Sequence, residues 1–151
     1  MKQILATITV AVTLVASSAS AFDPAHLKRL KDTGDCINCD LSGANLVSAN
    51  LKGAGLMGAD LSGAHLRGAD LNRANLMGAD LSGAKLVSAN LSGANLSGAK
   101  LGSAYLEGAN LTEAELSGAN LTGANLNYAI MKSAIFCNTT MPDGSVLYSG
   151  C

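Results

Sequence analysis

LMGADLSGA, residues 56–64, returns unchanged at residues 76–84. The stretch is two copies of a five-residue unit in which leucine follows an Asp and an alanine stands two positions before that leucine. Leucine occupies every fifth position from 41 to 126, 18 times in succession, and Met131 and Phe136 carry the phase onward. Alanine keeps its place from Ala44 to Ala134, and Cys39 fills it in the first unit. Such a repeat is read before any local propensity.

Neither regular element can use a period of five. Five residues advance an α-helix by about 500°, so each leucine would land about 140° from the last and no face would form. Most of the 17 glycines fall inside the repeat, where each would cost a helix roughly 1 kcal/mol. On a straight strand an odd period sends successive leucines to opposite faces. Each unit must therefore hold a corner. Alanine and leucine, two apart, point the same way on a short extended segment, and the small pair that follows turns the chain. DLSGA begins at Asp40, Asp60 and Asp80, a second period of 20 residues that predicts four sides to the coil. Ordering 20 residues costs on the order of 30 kcal/mol, so one coil alone should not fold and about five stacked coils are expected to share their edges.

The tandem A-[DN]-L-x-x, as in Ala44-Asn45-Leu46, Ala59-Asp60-Leu61 and Ala119-Asn120-Leu121, resembles the pentapeptide-repeat family. The resemblance covers roughly residues 36–138. It implies an all-β fold, a right-handed quadrilateral β-helix with the central Leu and the preceding Ala inward and the other three residues outward. The departures are Cys36, Cys39, Gly55, Met131, Phe136 and the unit around Thr139 and Met141.

The ends do not follow the repeat. Lys2, an apolar run over residues 4–15 and Ala19-Ser20-Ala21 read as an export signal over residues 1–21. A run of this length falls short of the roughly 20 residues a membrane span needs. Removing it leaves nine Lys plus Arg against eleven Asp plus Glu, a net charge of −2. That balance argues against a nucleic-acid partner, which a basic patch would attract. Asp23-Pro24 is a helix start, and Phe22 can staple to Leu27 across it. A short capping helix is expected from Asp23 to Lys31, ended at Gly34, within a segment of residues 22–35 that leads into the repeat domain at 36–138. Residues 139–151 form a C-terminal cap, in which residues 141–147 are expected to fold back over outward Tyr128, Ile130 and Ile135.

Four cysteines in an exported chain favour disulfides. Cys36-Ile37-Asn38-Cys39 also has the spacing of a redox or half-zinc motif. A zinc site would need both cysteine pairs together, yet five coils at about 4.8 Å hold them roughly 24 Å apart. A redox dithiol wants a stabilised thiolate, and Asp35 and Asp40 flank this pair. Structural bridges, Cys36 with Cys39 and Cys137 with Cys151, are the preferred reading.

Residues for catalysis are few. His26 and His65 have no Ser, Asp or Cys placed to build a triad and read as solvated imidazoles, and the glycines are corner residues rather than a phosphate loop. No catalytic, metal-binding or cofactor-binding residue is assigned. Asp40, Asp60 and Asp80 fall in one outward column, with Lys100 next and Ser42, Ser62 and Ser82 beside it; like charges there either attract a cation or are tolerated, the second being preferred. Asn45, His65, Lys85, Tyr105 and Asn125 make a mixed column on the second side, beside Val47, Arg67, Val87, Glu107 and Asn127, and Met57 and Met77 stack outward on the fourth. The expected role is a non-enzymatic structural or protein-binding module outside the cytoplasmic membrane, in the periplasm, the extracellular space or an equivalent lumen. It would have no membrane span after processing and would be a monomer or an end-to-end homodimer. The alternative, carried by the family resemblance, is a topoisomerase-protecting DNA mimic of the quinolone-resistance type. An enzyme using the Cys36–Cys39 dithiol is the third reading and is not expected.

Overall fold

The computed structural model describes residues 22–151, so the expected export signal lies outside the described residues. The path of the chain through the repeat follows from where each backbone N–H goes, and residues 60–64 show it. Asp60 N–H donates to the Cys39 carbonyl at 2.8 Å, Leu61 N–H to the Asp80 carbonyl at 2.7 Å and Gly63 N–H to the Ser82 carbonyl at 2.9 Å. Ala64 N–H turns back to the Leu61 carbonyl at 3.0 Å. The fifth donor, Ser62 N–H, goes to Asp60 Oδ1 at 2.9 Å. Each unit thus hands three bonds to its neighbours above and below and closes two within itself, which leaves no buried donor unmatched.

Those neighbours lie 20 residues away. Parallel bridges join Asp40 to Asp60, Asp60 to Asp80 and Asp80 to Lys100, and the same step recurs on every side, from Asp35↔Gly55 to Asn120↔Thr140. Four units therefore make one circuit, and the pairing is a solenoid of single bridges rather than long strands. The inward leucines from Leu56 to Leu121 are at most 1% exposed, stacked with the alanines that precede them. The corner after each leucine is left-handed. Gly63 has φ 62° and Gly83 φ 64°, and Ser48, Arg73 and Ser88 accept the same conformation at φ 54–56°. Glycine leads at this place because a Cβ there is strained.

At the N-terminal end, α1 (Pro24–Thr33) lies over the first circuit and buries Leu30 in its core. Asp23 Oδ1 accepts the Ala25 N–H at 2.8 Å as N-cap, and Gly34, at φ 75°, closes the helix by donating to the Leu30 carbonyl at 2.9 Å. The helix runs two residues beyond the expected Lys31. Thr33 extends it, because its hydroxyl donates back to the Arg29 carbonyl at 2.8 Å and accepts the Asp35 N–H at 3.1 Å.

At the C-terminal end, β1 (Thr139–Thr140) and β2 (Val146–Leu147) form an antiparallel pair, Thr139 opposite Leu147 and Thr140 opposite Val146. Phe136 N–H donates to the Ser149 carbonyl at 3.0 Å, so the returning chain lies along residues 136–140. The expectation that this segment would cover all three outward apolar residues is corrected. Ile135 is half-buried, but Tyr128 is 86% and Ile130 55% exposed. The turn over residues 141–145 is too short to reach them: Met141 N–H already meets the Ser145 carbonyl at 2.8 Å, and the Cys137–Cys151 bridge holds the tail on the same side.

Candidate functional site

The outward columns are shaped by local bonding before any partner is considered. Wherever Asp or Asn precedes the leucine, its side chain bends over to accept the N–H two residues on, at 3.0 Å for Asp40 to Ser42, 3.0 Å for Asp80 to Ser82 and 3.0 Å for Asn110 to Thr112. Ser or Thr at the second position adds its hydroxyl, as in Ser42 Oγ to Asp40 Oδ1 at 2.7 Å and Ser92 Oγ to Asn90 Oδ1 at 2.7 Å. These Asx turns hold the corner open. The [DN]-L-[ST] triplets were visible in the sequence and are the signal from which this role could have been read.

The acidic column is therefore occupied by its own backbone. The Ser42 hydroxyl and N–H hold the Asp40 carboxyl below the usual carboxylate range, overcoming a small opposing effect of burial. At Asp80 burial is the largest influence and pushes upward, but Ser82 and Lys100 together outweigh it and the carboxyl is lowered. Lys100 Nζ lies 3.5 Å from Asp80 Oδ2 and closes the run of like charge. Among the described residues no group of three or more His, Cys, Asp or Glu side chains converges to hold a metal ion.

Of the two histidines, His65 faces Lys85, with Nε2 3.0 Å from Lys85 Nζ. Lysine offers only donors, so Nε2 is the acceptor there. His26 is not a solvated imidazole, which corrects the expectation. Its Nδ1 accepts the Asp40 N–H at 3.1 Å and lies 3.7 Å from Asp23 Oδ2. The equivalent donor one circuit on, Asp60 N–H, bonds to the Cys39 carbonyl, so His26 supplies the acceptor that a preceding coil would have given.

The cysteines pair as Cys36–Cys39 and Cys137–Cys151. Cys36 is fully buried and Cys39 2% exposed, in the places of an inward Leu and Ala. A pair so enclosed offers no sulfur for exchange with an outside thiol. Cys137 instead sits outward, half-buried, and ties the tail to the last circuit.

Thr139 also escaped the sequence reading. It takes an alanine place at 0% exposure, and its hydroxyl is satisfied by the Leu116 carbonyl at 2.7 Å. Gly55 breaks the A-[DN]-L pattern because Asp35 Oδ1 lies over it, where a Cβ would collide.

What remains free on the flanks is a set of side chains on a firm lattice. Val47 and Tyr105, about half exposed, protrude on the second side with His65, Arg67 and Lys85, and Ile37 and Met77 protrude on the fourth. Each is anchored to its neighbours at the coil spacing.

The stretches 35–73, 54–93, 74–112, 89–127 and 104–141 match the family described as pentapeptide repeats, in 8 copies. Rfr23, a pentapeptide repeat protein of the cyanobacterium Cyanothece 51142, is 33% identical with a TM-score of 0.65, over 73% of this chain and 92% of its own. HetL of Nostoc sp. strain PCC 7120, a pentapeptide repeat protein involved in heterocyst differentiation regulation, is 33% identical with a TM-score of 0.40, over 75% of this chain and 66% of its own. QnrB1, a plasmid-mediated fluoroquinolone resistance protein, is 22% identical with a TM-score of 0.44, over 71% and 67%. No curated protein is significantly similar to the chain.

Proposed function

We infer that this chain, which belongs to the pentapeptide-repeat family, works as a non-enzymatic protein-binding tower outside the cytoplasmic membrane. The tower is taken as a right-handed, four-sided β-helix of about five coils over residues 36–138, led in by residues 22–35 and capped by residues 139–151. The observation that carries the reading is the state of the polar side chains. The carboxylates that might have done chemistry are spent on their own corners, and the buried Cys36–Cys39 pair fills core positions. A surface of fixed spacing with a few protruding apolar and basic groups is suited to docking a rigid partner at little entropic cost. Two disulfides favour an oxidising compartment, in keeping with the export signal read in residues 1–21.

The second side is the face on which docking is proposed, since Val47, Arg67, Lys85 and Tyr105 combine exposed apolar and cationic groups there. The test is co-purification from envelope extract with the native chain, a Tyr105→Ala/Val47→Asp variant of the second side and an Asn90→Ala variant of the third. A partner lost only with the second-side variant supports the face. Absence of any reproducible partner, or equal retention by all three, overturns it.

The DNA-mimic alternative has one feature in its favour, the column Asp40, Asp60, Asp80. It ends at Lys100, and Lys52, Arg67, Arg73 and Lys85 occupy the flanks, so the field of a phosphate backbone is not reproduced. Inhibition of gyrase supercoiling by the purified protein would reverse this order.

A further inference from the structure

We propose that the C-terminal end of the tower is a self-association surface, on which two copies of this chain dock end to end about a two-fold axis. This goes beyond the reading above, which concerns a side face, and each can fail without the other.

The last circuit is left unfinished on half its perimeter. One circuit earlier, the N–H groups of Leu106, Gly108, Leu111 and Glu113 donate to the Asn125, Asn127, Ile130 and Lys132 carbonyls at 2.7–2.9 Å. Their successors on Leu126, Tyr128, Met131 and Ser133 find no backbone partner among the described residues. On the other half the returning tail supplies one, as the Phe136–Ser149 bond shows. The end is therefore stepped, with one extra strand under residues 136–140 and none under residues 125–134.

The core is open at the same place. Leu126, Ala129, Met131 and Phe136 are only partly buried, whereas the residues 20 before them, Leu106, Ala109, Leu111 and Leu116, are at most 1% exposed. Exposed apolar side chains collect there too. Of the nine large hydrophobic residues exposed among the described residues, five belong to this end: Tyr128, Ile130, Val146, Leu147 and Tyr148. A bare β edge beside an unfilled core invites a further strand.

The step is complementary to itself. A two-fold axis across the tower sets the tail of each copy under the bare half of the other, so that the free edge of each tail meets the unpaired groups of its partner. The interface is then isologous and closes at two copies. Charge agrees with this arrangement. Between residues 121 and 151 the charged side chains are Lys132, on the bare half, and Asp143, on the tail half, both exposed. The two-fold operation brings each Lys132 toward the partner's half that carries Asp143. The opposite end of the tower lacks this character, because α1 lies over it and His26 takes the Asp40 N–H.

Sedimentation velocity over a concentration series tests the proposal on the purified, natively processed chain. A species of twice the chain mass is expected, elongated in small-angle scattering. Ile130→Asp is expected to halve that mass, whereas Val47→Asp, exposed at the other end, leaves it. Lys132→Asp is expected to weaken the dimer, and the double exchange Lys132→Asp/Asp143→Lys to restore it. A single-chain mass at every concentration overturns the proposal, as does a dimer that survives Ile130→Asp in a chain with native circular dichroism, or a particle no longer than one tower.

Discussion

Asp60 Oδ1 accepts the backbone N–H of Ser62 at 2.9 Å, and this bond completes the set of five that holds its unit. Loss of the acceptor exposes one N–H at a corner, much as loss of a helix N-cap does. Asp60→Ala is expected to destabilise the chain by about 1 kcal/mol in chemical denaturation. The converse applies where the acceptor is missing: Lys85→Asn would give the Val87 N–H a partner and raise stability by about 1 kcal/mol. A loss on Lys85→Asn would show that the Lys85–His65 contact outweighs the turn.

Gly63, at φ 62°, has open space where a Cβ would stand. Gly63→Ala therefore isolates conformational strain, and a loss of roughly 1–2 kcal/mol is expected. Gly58 has the same φ class, but a Cβ there meets the Asn38 side chain. Gly58→Ala should cost more than Gly63→Ala, and a thermal melt of the two variants checks the order.

Asp40, Asp80 and Asp143 all bind their proton less readily in the folded chain than in the unfolded one, Asp143 chiefly through the Ser145 hydroxyl. Their contribution is fully present above the ordinary carboxylate value of about 3.9 and is lost as pH falls below it through the folded values. Denaturation midpoints are expected to be level with respect to these groups near neutrality and to fall on acidification below about pH 4. Removal of the Ser42 hydroxyl in Ser42→Ala should narrow the difference between neutral and acid midpoints. An unchanged acid slope in that variant would remove Asp40 from the explanation.

Cys137–Cys151 closes a loop with a sequence separation of 14 and anchors the hairpin cap. Its removal by paired Ser substitution is expected to lower stability by about 3 kcal/mol on chain-entropy grounds. The buried Cys36–Cys39 pair spans three residues, restrains the unfolded chain less and should be reduced by thiols only after the N-terminal end opens. Mass spectrometry under graded reductant should therefore show Cys137–Cys151 open first.

Much of this was legible in the residues. The leucine at every fifth place required a corner per unit, and the return of DLSGA after 20 residues foretold that Asp40, Asp60 and Asp80 would be bridged in one column. The pairing of the cysteines was expected as it stands. The work of the Asx side chains was printed in the sequence as [DN]-L-[ST] and overlooked, because composition alone suggests solvated polar groups there.

The ends were decided elsewhere. His26 looked like a surface imidazole until the first circuit presented the Asp40 N–H to it, and Tyr128 and Ile130 looked coverable until the hairpin returned along residues 136–140. The physical reason is one of range. Inside the repeat each residue's surroundings are copies of its own unit, so a local pattern, iterated, specifies the packing and the sequence by itself determines the solenoid. At an end the iteration stops, the unpaired groups must find whatever segment the chain can bring back, and only the tertiary structure settles which edge is closed and which is left open.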